Sequence, residues 1–193
     1  MCKSLFLSLL FIFSIQTMAQ ELPFSSIPKD PVNYSASNSI SRMIQGLGFR
    51  YHWATEGLKA KDLKYRPTEE SRTTMGTIQH IYSLSKTILN AAKNKVSKRS
   101  KDQPPEHLDE LRIITLNNLS EASELFLNYN ENELNELNII FERGGKQSKF
   151  PIWNLINGPI ADALYHTGQV VSFRRTSGNP ISKGVNVFLG IKS

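Results

Sequence analysis

Two residues on one predicted helix have the types and spacing to bind a metal ion, and a third polar residue extends their stripe. Asp162 is the only formally charged residue between Phe150 and Phe173. His166 follows it by four residues, so on an α-helix the two side chains lie one turn apart on the same face. Gln169 continues that stripe three residues later. A carboxylate and an imidazole on consecutive turns can both reach one divalent cation.

The helix that carries this stripe is expected to be buried on nearly all sides. Ile160, Leu164 and Val171 lie roughly opposite Asp162, and a helix that is apolar almost all round is normally surrounded by protein. A buried charge is costly unless it is paired, hydrogen-bonded or bound to a metal. We therefore expect Asp162 to be buried beside a partner.

His80 is the third candidate ligand. It lies at the edge of the apolar face of a predicted helix, within the charge-free run 73–85. Alone, such a histidine is more often a hydrogen-bonded core residue than a ligand. With Asp162 and His166 it forms a set that suits Zn, Ni, Fe or Mn and leaves coordination positions open. A hydrogen-bond network of the same three residues without metal is the alternative.

The remaining candidates for chemistry are weaker. His52 falls well off the apolar stripe of its predicted helix, which indicates an exposed or half-exposed side chain. His107 is expected on the surface near a helix start. Glu56 lies almost opposite the apolar stripe, which disfavours a catalytic role. No general base is therefore identified.

Four predicted helices, over residues 37–57, 73–95, 105–129 and 151–177, must position these side chains. They predict an all-α four-helix bundle, with a short two-stranded ribbon between the third and fourth helices, over 138–150, that turns at Gly144 and Gly145. Gly158 and Pro159 are expected to kink or restart the last helix.

The predicted organisation has four parts. Residues 1–19 are typical of a secretory signal peptide, with a positive Lys3, an apolar core and a small-residue cleavage site ending at Ala19. Residues 20–35 form an extended arm, 36–180 the bundle and 181–193 a tail. The protein is therefore expected to be exported, to the periplasm or the extracellular space. The apolar run near the start is too short for a stable membrane span.

Composition excludes several classes of function. The formal net charge is +6, and the basic runs lack the interleaved aromatic residues of a nucleic-acid surface, so no nucleic acid is expected as a partner. The only cysteine is Cys2, within the predicted signal peptide, which excludes a thiolate ligand or nucleophile in the mature chain. The sequence leaves a homodimer open.

The motifs, taken in order, resemble the DinB/YfiT-like superfamily of metal-binding four-helix bundles. They are Trp53–Leu58, Asp62-Leu63, Tyr65-Arg66-Pro67, His80 and the run Asp162-x3-His166-Thr-Gly-Gln169, within roughly residues 36–178. The resemblance implies that His80, Asp162 and His166 are the metal ligands. Asp162 stands where the family more usually has a histidine. The family includes metal-dependent hydrolases and thiol-dependent S-transferases.

Two functions of different class follow. The first is an exported hydrolase that uses a metal-bound water, held by two histidines and one aspartate, on a small-molecule substrate of unknown identity. The second is a non-catalytic exported bundle whose metal or polar network is structural. Export disfavours the S-transferase, since thiol cofactors are mainly cytoplasmic. Gln169 is expected to hydrogen-bond a ligand or bound water rather than the metal.

Overall fold

Four long helices carry most of the buried apolar side chains. The computed structural model describes residues 21–98 and 103–193. In chain order the helices are α1 (Ala36–Thr55), α2 (Ala60–Lys64), α3 (Thr74–Ala92), α4 (Leu108–Leu127), α5 (Glu131–Glu136) and α6 (Ala161–Thr176). The strands are β1 (Val96–Lys98), β2 (Asn138–Arg143), β3 (Lys146–Pro151), β4 (Val185–Asn186) and β5 (Ile191–Lys192).

The helix starts follow from local sequence. The Ser35 side chain accepts a hydrogen bond from the amide of Asn38 at the start of α1, and Thr73 does the same for Gly76 at the start of α3. These contacts satisfy amides that would otherwise lack a partner in the first turn. The predicted boundaries of these two helices are accurate to within three residues.

The long helices pack in a closed order. Helix α1 contacts α4 and α6, and α3 contacts the same two helices. The shared core includes the fully buried Ile44, Leu47, Ile81, Leu116 and Leu119. The mostly helical class is confirmed.

The all-α prediction needs correction, because two small sheets are present. The ribbon is confirmed: β2 and β3 pair antiparallel, and Gly144 and Gly145 turn between them with φ of 57° and 77°. Two positive φ values in succession are typical of a tight hairpin turn that favours glycine. Strand β1, which pairs parallel to β2, was not predicted. The tail also forms a hairpin, β4 with β5.

The start of the last helix is irregular, as the sequence predicts. Residues Ile156–Ile160 form a π-helical segment in which Gly158 has non-helical backbone angles, directly before Pro159. Helix α6 then runs regularly from Ala161. Its end is also as predicted: Gly178 has φ of 83° and follows the last turn.

The arm before α1 is anchored by an aromatic side chain. Phe24 is buried, and its ring lies against Gly48 of α1 so closely that a Cβ at Gly48 would stand 2.4 Å from it. The Trp53 indole donates a hydrogen bond to the carbonyl of Ser25. The arm is therefore part of the packed structure.

A buried arginine joins α6 to α1. Arg174 is 2% exposed, and its Nη1 donates to the carbonyls of Trp53, Ala54 and Glu56 at the end of α1. Its Nε donates to the carbonyl of Asn179. The last carbonyls of a helix have no partner within the helix, so a guanidinium there satisfies several of them at once.

Asp62 completes this joint from α2. It is fully buried and accepts hydrogen bonds from the Ser177 hydroxyl, the Asn179 side-chain amide and the Lys59 backbone amide. Burial raises the pKa of Asp62, but these hydrogen bonds outweigh it and hold the pKa below its ordinary value. Asp62 is thus bound as the carboxylate.

The predicted signal peptide lies outside the described residues. No helix among residues 21–98 and 103–193 is both long and apolar enough to cross a membrane.

Gly48→Ala should reduce the free energy of unfolding by about 1–3 kcal/mol, because the added methyl group overlaps the Phe24 ring. Gly46→Ala is the matched control, since a Cβ there meets only the far end of the long Arg50 side chain, at 3.3 Å. That control should be neutral or stabilising by up to about 1 kcal/mol. Urea unfolding measures both; equal effects would contradict the Phe24 contact.

Asp62→Asn should reduce the free energy of unfolding by about 1.5–3 kcal/mol at neutral pH, because hydrogen bonds to a charged group are lost. Since the pKa of Asp62 is lowered in the folded state, its contribution is complete above the ordinary carboxyl pKa of about 4 and is lost as the pH falls through the folded-state value. The difference in free energy of unfolding between wild type and Asp62→Asn should therefore shrink in acid. Glu70→Gln, on the exposed surface, is the control. A stability difference between wild type and Asp62→Asn that does not change with pH would contradict a lowered pKa at Asp62.

Candidate metal centre

The candidate site lies where α3 faces the beginning of α6. Helix α3 contributes His80, and α6 contributes Asp162 and His166 from consecutive turns. One ligand atom from each of the three residues lies within 4.8 Å of the others. The three residues that the sequence singles out are therefore neighbours.

Both imidazoles point the same nitrogen at one carboxylate. His80 Nε2 lies 3.2 Å from Asp162 Oδ2, and His166 Nε2 lies 3.2 Å from Asp162 Oδ1. The two imidazole rings are nearly perpendicular, at 84°, with centroids 4.6 Å apart. Each oxygen of Asp162 thus faces a different histidine.

Gln169 determines the protonation of His166. Its Oε1 lies 2.7 Å from His166 Nδ1, one turn further along α6. An amide oxygen can only accept a hydrogen bond, so Nδ1 carries a proton. In the neutral ring, Nε2 then has an unprotonated lone pair directed at Asp162.

That lone pair and the carboxylate oxygen repel each other unless a positive charge lies between them. A proton on His166 Nε2 would supply that charge by making an imidazolium, and a divalent cation would supply it by coordination. Two imidazole nitrogens and one carboxylate are a normal ligand set for Zn and its neighbours. The residues present therefore fit a metal ion.

The prediction that Asp162 is buried is wrong. Its side chain is 43% exposed, while His80 is 30% and His166 12% exposed. Only one face of α6 is fully packed, by residues spaced three or four apart: Ala163, Thr167, Val170 and Arg174. Tyr165 between them is 65% exposed. Burial therefore does not require a countercharge for Asp162. The requirement comes from His166 Nε2, which is unprotonated in the neutral ring and faces a carboxylate oxygen.

Three effects lower the pKa of His80. Partial burial is the largest, because it disfavours the charged ring, and the positive charge of Arg72 and the nearby His166 act in the same direction. The hydrogen bond to Asp162 opposes them without reversing the shift. His80 therefore stays neutral, and able to coordinate, to a lower pH than an ordinary histidine.

The other candidates have structural roles. His52 was predicted to be exposed or half-exposed, but it is 7% exposed because the arm covers it, and its Nδ1 donates to the carbonyl of Pro23 at 2.9 Å. His107 is exposed at the start of α4, as predicted. Glu56 accepts a hydrogen bond from Arg112, so its carboxylate is already paired.

Sequence reasoning missed Arg72. The residue lies two positions before α3, where nothing in the pattern of apolar residues marks it. Its place directly before Thr73, the residue that caps the helix carrying His80, is the one signal that could have indicated it.

Two surface cavities lie elsewhere. One, of about 380 Å³, is lined by the β2–β3 ribbon, including Phe141 and Phe150. The other, of about 370 Å³, is lined by α1, α5 and the segment that precedes α6, including Met43 and Trp153. Neither includes a residue of the candidate metal centre.

Comparison with known proteins bears on the fold. Neither a family model nor a curated protein matches the sequence. Among solved structures, the chain is similar to a DinB-like protein (YjoA) from Bacillus subtilis, with a TM-score of 0.54 and 14% identity over 72% of this chain and 92% of that one. The chain has a DinB-like fold.

The fold that the sequence resemblance implies is thus confirmed, and the likeness shows nothing beyond the fold. The similarity extends over 72% of this chain. At 14% identity it assigns no role to individual residues, so the roles of His80, Asp162, His166 and Gln169 depend on their geometry.

Gln169→Ala should release His166 from its single tautomer, because the acceptor for Nδ1–H is lost. Nitrogen NMR of the metal-free protein at neutral to alkaline pH should show Nδ1–H at His166 in wild type and mixed tautomers in the variant. The free energy of unfolding should change by less than about 1 kcal/mol, since the side chain is only partly buried. Gln79→Ala, on α3, is the control. An unchanged His166 tautomer would contradict the contact.

Proposed function

We propose that this protein is an exported four-helix bundle that holds one divalent cation with His80, Asp162 and His166 and hydrolyses a small-molecule substrate. The observation that carries the proposal is the convergence of two Nε2 atoms on the two oxygens of one carboxylate, with Gln169 fixing the tautomer of His166. The closed packing order of α1, α4, α3 and α6 supports the bundle. Export is proposed from the sequence of residues 1–19.

The ligands have distinct tasks. His80 and His166 would donate Nε2 lone pairs, and Asp162 would supply negative charge from between them. Gln169 would keep His166 Nε2 unprotonated by holding the proton on Nδ1. A partner of this kind orients a ligand and raises its basicity, and its loss typically costs about 10–100-fold in metal affinity.

A bound cation would supply Lewis acidity and lower the pKa of a water molecule in an open coordination position. Three protein ligands leave such positions, and the partial exposure of Asp162 and His80 gives solvent and substrate a route to them. Hydrolysis of an ester, amide or similar bond is the reaction class that this arrangement suits.

A metal-free role for the same residues is the second candidate. Both nitrogen–oxygen distances are 3.2 Å, which is also the length of a long hydrogen bond. Under this alternative the imidazolium of His166 forms an ion pair with the Asp162 carboxylate. The hydrogen bond between Asp162 and His80 then joins α6 to α3. The group would then stabilise the bundle and have no chemistry of its own.

Elemental analysis distinguishes the two. After incubation with Zn, Ni, Mn or Fe and removal of free metal, wild type should retain about one equivalent, and His80→Ala and His166→Ala should each retain little. His107→Ala is the matched control, because it removes an exposed histidine elsewhere and should leave retention unchanged. Asp162→Asn should weaken metal retention, because it removes the negative charge while keeping a side chain of the same size and shape. Substoichiometric metal in wild type, or equal retention in all variants, would contradict the metal site.

Activity tests the hydrolase itself. A panel of small ester and amide substrates should be hydrolysed by the metal-loaded protein and not by protein stripped with a chelator, and His166→Ala should behave as the stripped form does. Metal retention without any hydrolysis would favour a structural metal over the hydrolase.

A further inference from the structure

Arg72 is a free guanidinium beside the candidate metal centre. Its side chain is exposed, and it makes no hydrogen bond or ion pair with any residue in the described ranges 21–98 and 103–193. Arg42, Arg66, Arg112 and Arg174, by contrast, each donate to a carboxylate or carbonyl. The charge of Arg72 is therefore available to a ligand.

The side of α3 between Arg72 and His80 is open. Gly76 and His80 are four residues apart on α3, so they share one side of that helix. A Cβ at Gly76 would lie 3.8 Å from Arg72 Cβ. Arg72 therefore leaves the chain beside Gly76, on the same side of α3 as His80, and Gly76 itself has no side chain to separate them.

Helix α6 forms the other side of this strip. The Tyr65 carbonyl accepts the amide of Thr74 at the start of α3, and the Tyr65 ring packs on Phe173 near the end of α6, with centroids 5.6 Å apart. The end of α6 therefore passes the start of α3, and the two helices run antiparallel. Phe173 shares its stripe on α6 with His166 and Gln169.

The strip thus has metal ligands at one end and Arg72 at the other. From Thr73 to His80 the helix rises about 10 Å, at 1.5 Å per residue. The packed Tyr65 and Phe173 rings offer apolar contact where the end of α6 passes the start of α3. A small molecule with its reacting bond at the metal centre could extend along this strip to the guanidinium.

We propose that Arg72 binds an oxyanion group, a carboxylate or a phosphate, of the molecule whose reacting bond lies at His80, Asp162 and His166. This rests on the proposed function, since it assigns the substrate class of that same site. A guanidinium presents paired N–H donors that match both oxyanions. The substrate would then be a small anionic molecule with its charge separated from the bond that breaks.

Asp162 makes the binding dependent on metal. Its negative charge repels an oxyanion in the metal-free protein, and a divalent cation would reverse the local charge. Oxyanion binding at Arg72 should therefore be detectable without metal and tighter with it.

The test uses the full mature chain with inorganic phosphate and with glutarate as probes. Calorimetry, with NMR of the Arg72 Nε–H and the His80 ring, follows each titration in metal-free and Zn-loaded protein. Saturable binding of at least one probe is expected, and Arg72→Gln should weaken it by about ten-fold. Arg72→Lys should lose less affinity than Arg72→Gln. The probe that binds more tightly identifies the oxyanion as phosphate or carboxylate.

Arg175→Gln is the matched control, because Arg175 is an exposed arginine on α6. It should leave binding unchanged. The proposal would be overturned by any of three results: no saturable probe binding in either the metal-free or the Zn-loaded protein, unchanged probe affinity in Arg72→Gln, or an equal loss of affinity in Arg175→Gln. Failure of the metal site is recognised separately: Zn would not be retained, while oxyanion binding dependent on Arg72 in the metal-free protein would still support the subsite.

Discussion

The position of the last helix depends on the buried guanidinium of Arg174. Three carbonyls at the end of α1 accept from its Nη1, and a fourth, from Asn179, accepts from its Nε. Carbonyls at a helix end are costly to bury without donors, and a buried guanidinium is costly without acceptors. Each therefore satisfies the other, and this fixes where α6 ends. The carboxylate of Asp62 reinforces the joint from α2 through Ser177 and Asn179.

The other end of α6 is set by its irregular start. Gly158 and Pro159 break the helical path just before Ala161, so the first regular turn of α6 begins next to the candidate ligands. With the far end held by Arg174, this turn brings Asp162 and His166 to face α3. The joint at one end and the break at the other together determine that His80 meets them. Residues with no role in chemistry therefore decide whether the site exists.

Within the site, the arrangement of acceptors matters more than burial. Asp162 is nearly half exposed, so it has no need of a countercharge on grounds of desolvation. Both of its oxygens face imidazole nitrogens. One of these, His166 Nε2, is unprotonated in the neutral ring because Gln169 holds the proton on Nδ1, and this contact requires positive charge. The same openness that weakens the burial argument favours a catalytic centre over a sealed structural one. Arg72 extends this positive character along α3.

The sequence by itself determined the long helices, the glycine turn of the ribbon, the break at Gly158 and the pairing of Asp162 with His166, because helical periodicity, turn chemistry and i, i+4 spacing are local properties. His80 was added to that pair from its charge-free run and from the family resemblance. The sequence could not determine that His52 is buried, since the arm that covers it is distant in sequence, nor that α6 is packed on one face only, since neighbours decide exposure. The parallel pairing of β1 with β2 joins residues more than 40 positions apart, and local pattern carries no information about it. The role of Arg174 likewise depends on the carbonyls at the end of α1 that the fold places beside it, and the role of Arg72 depends on the exposed surface around it.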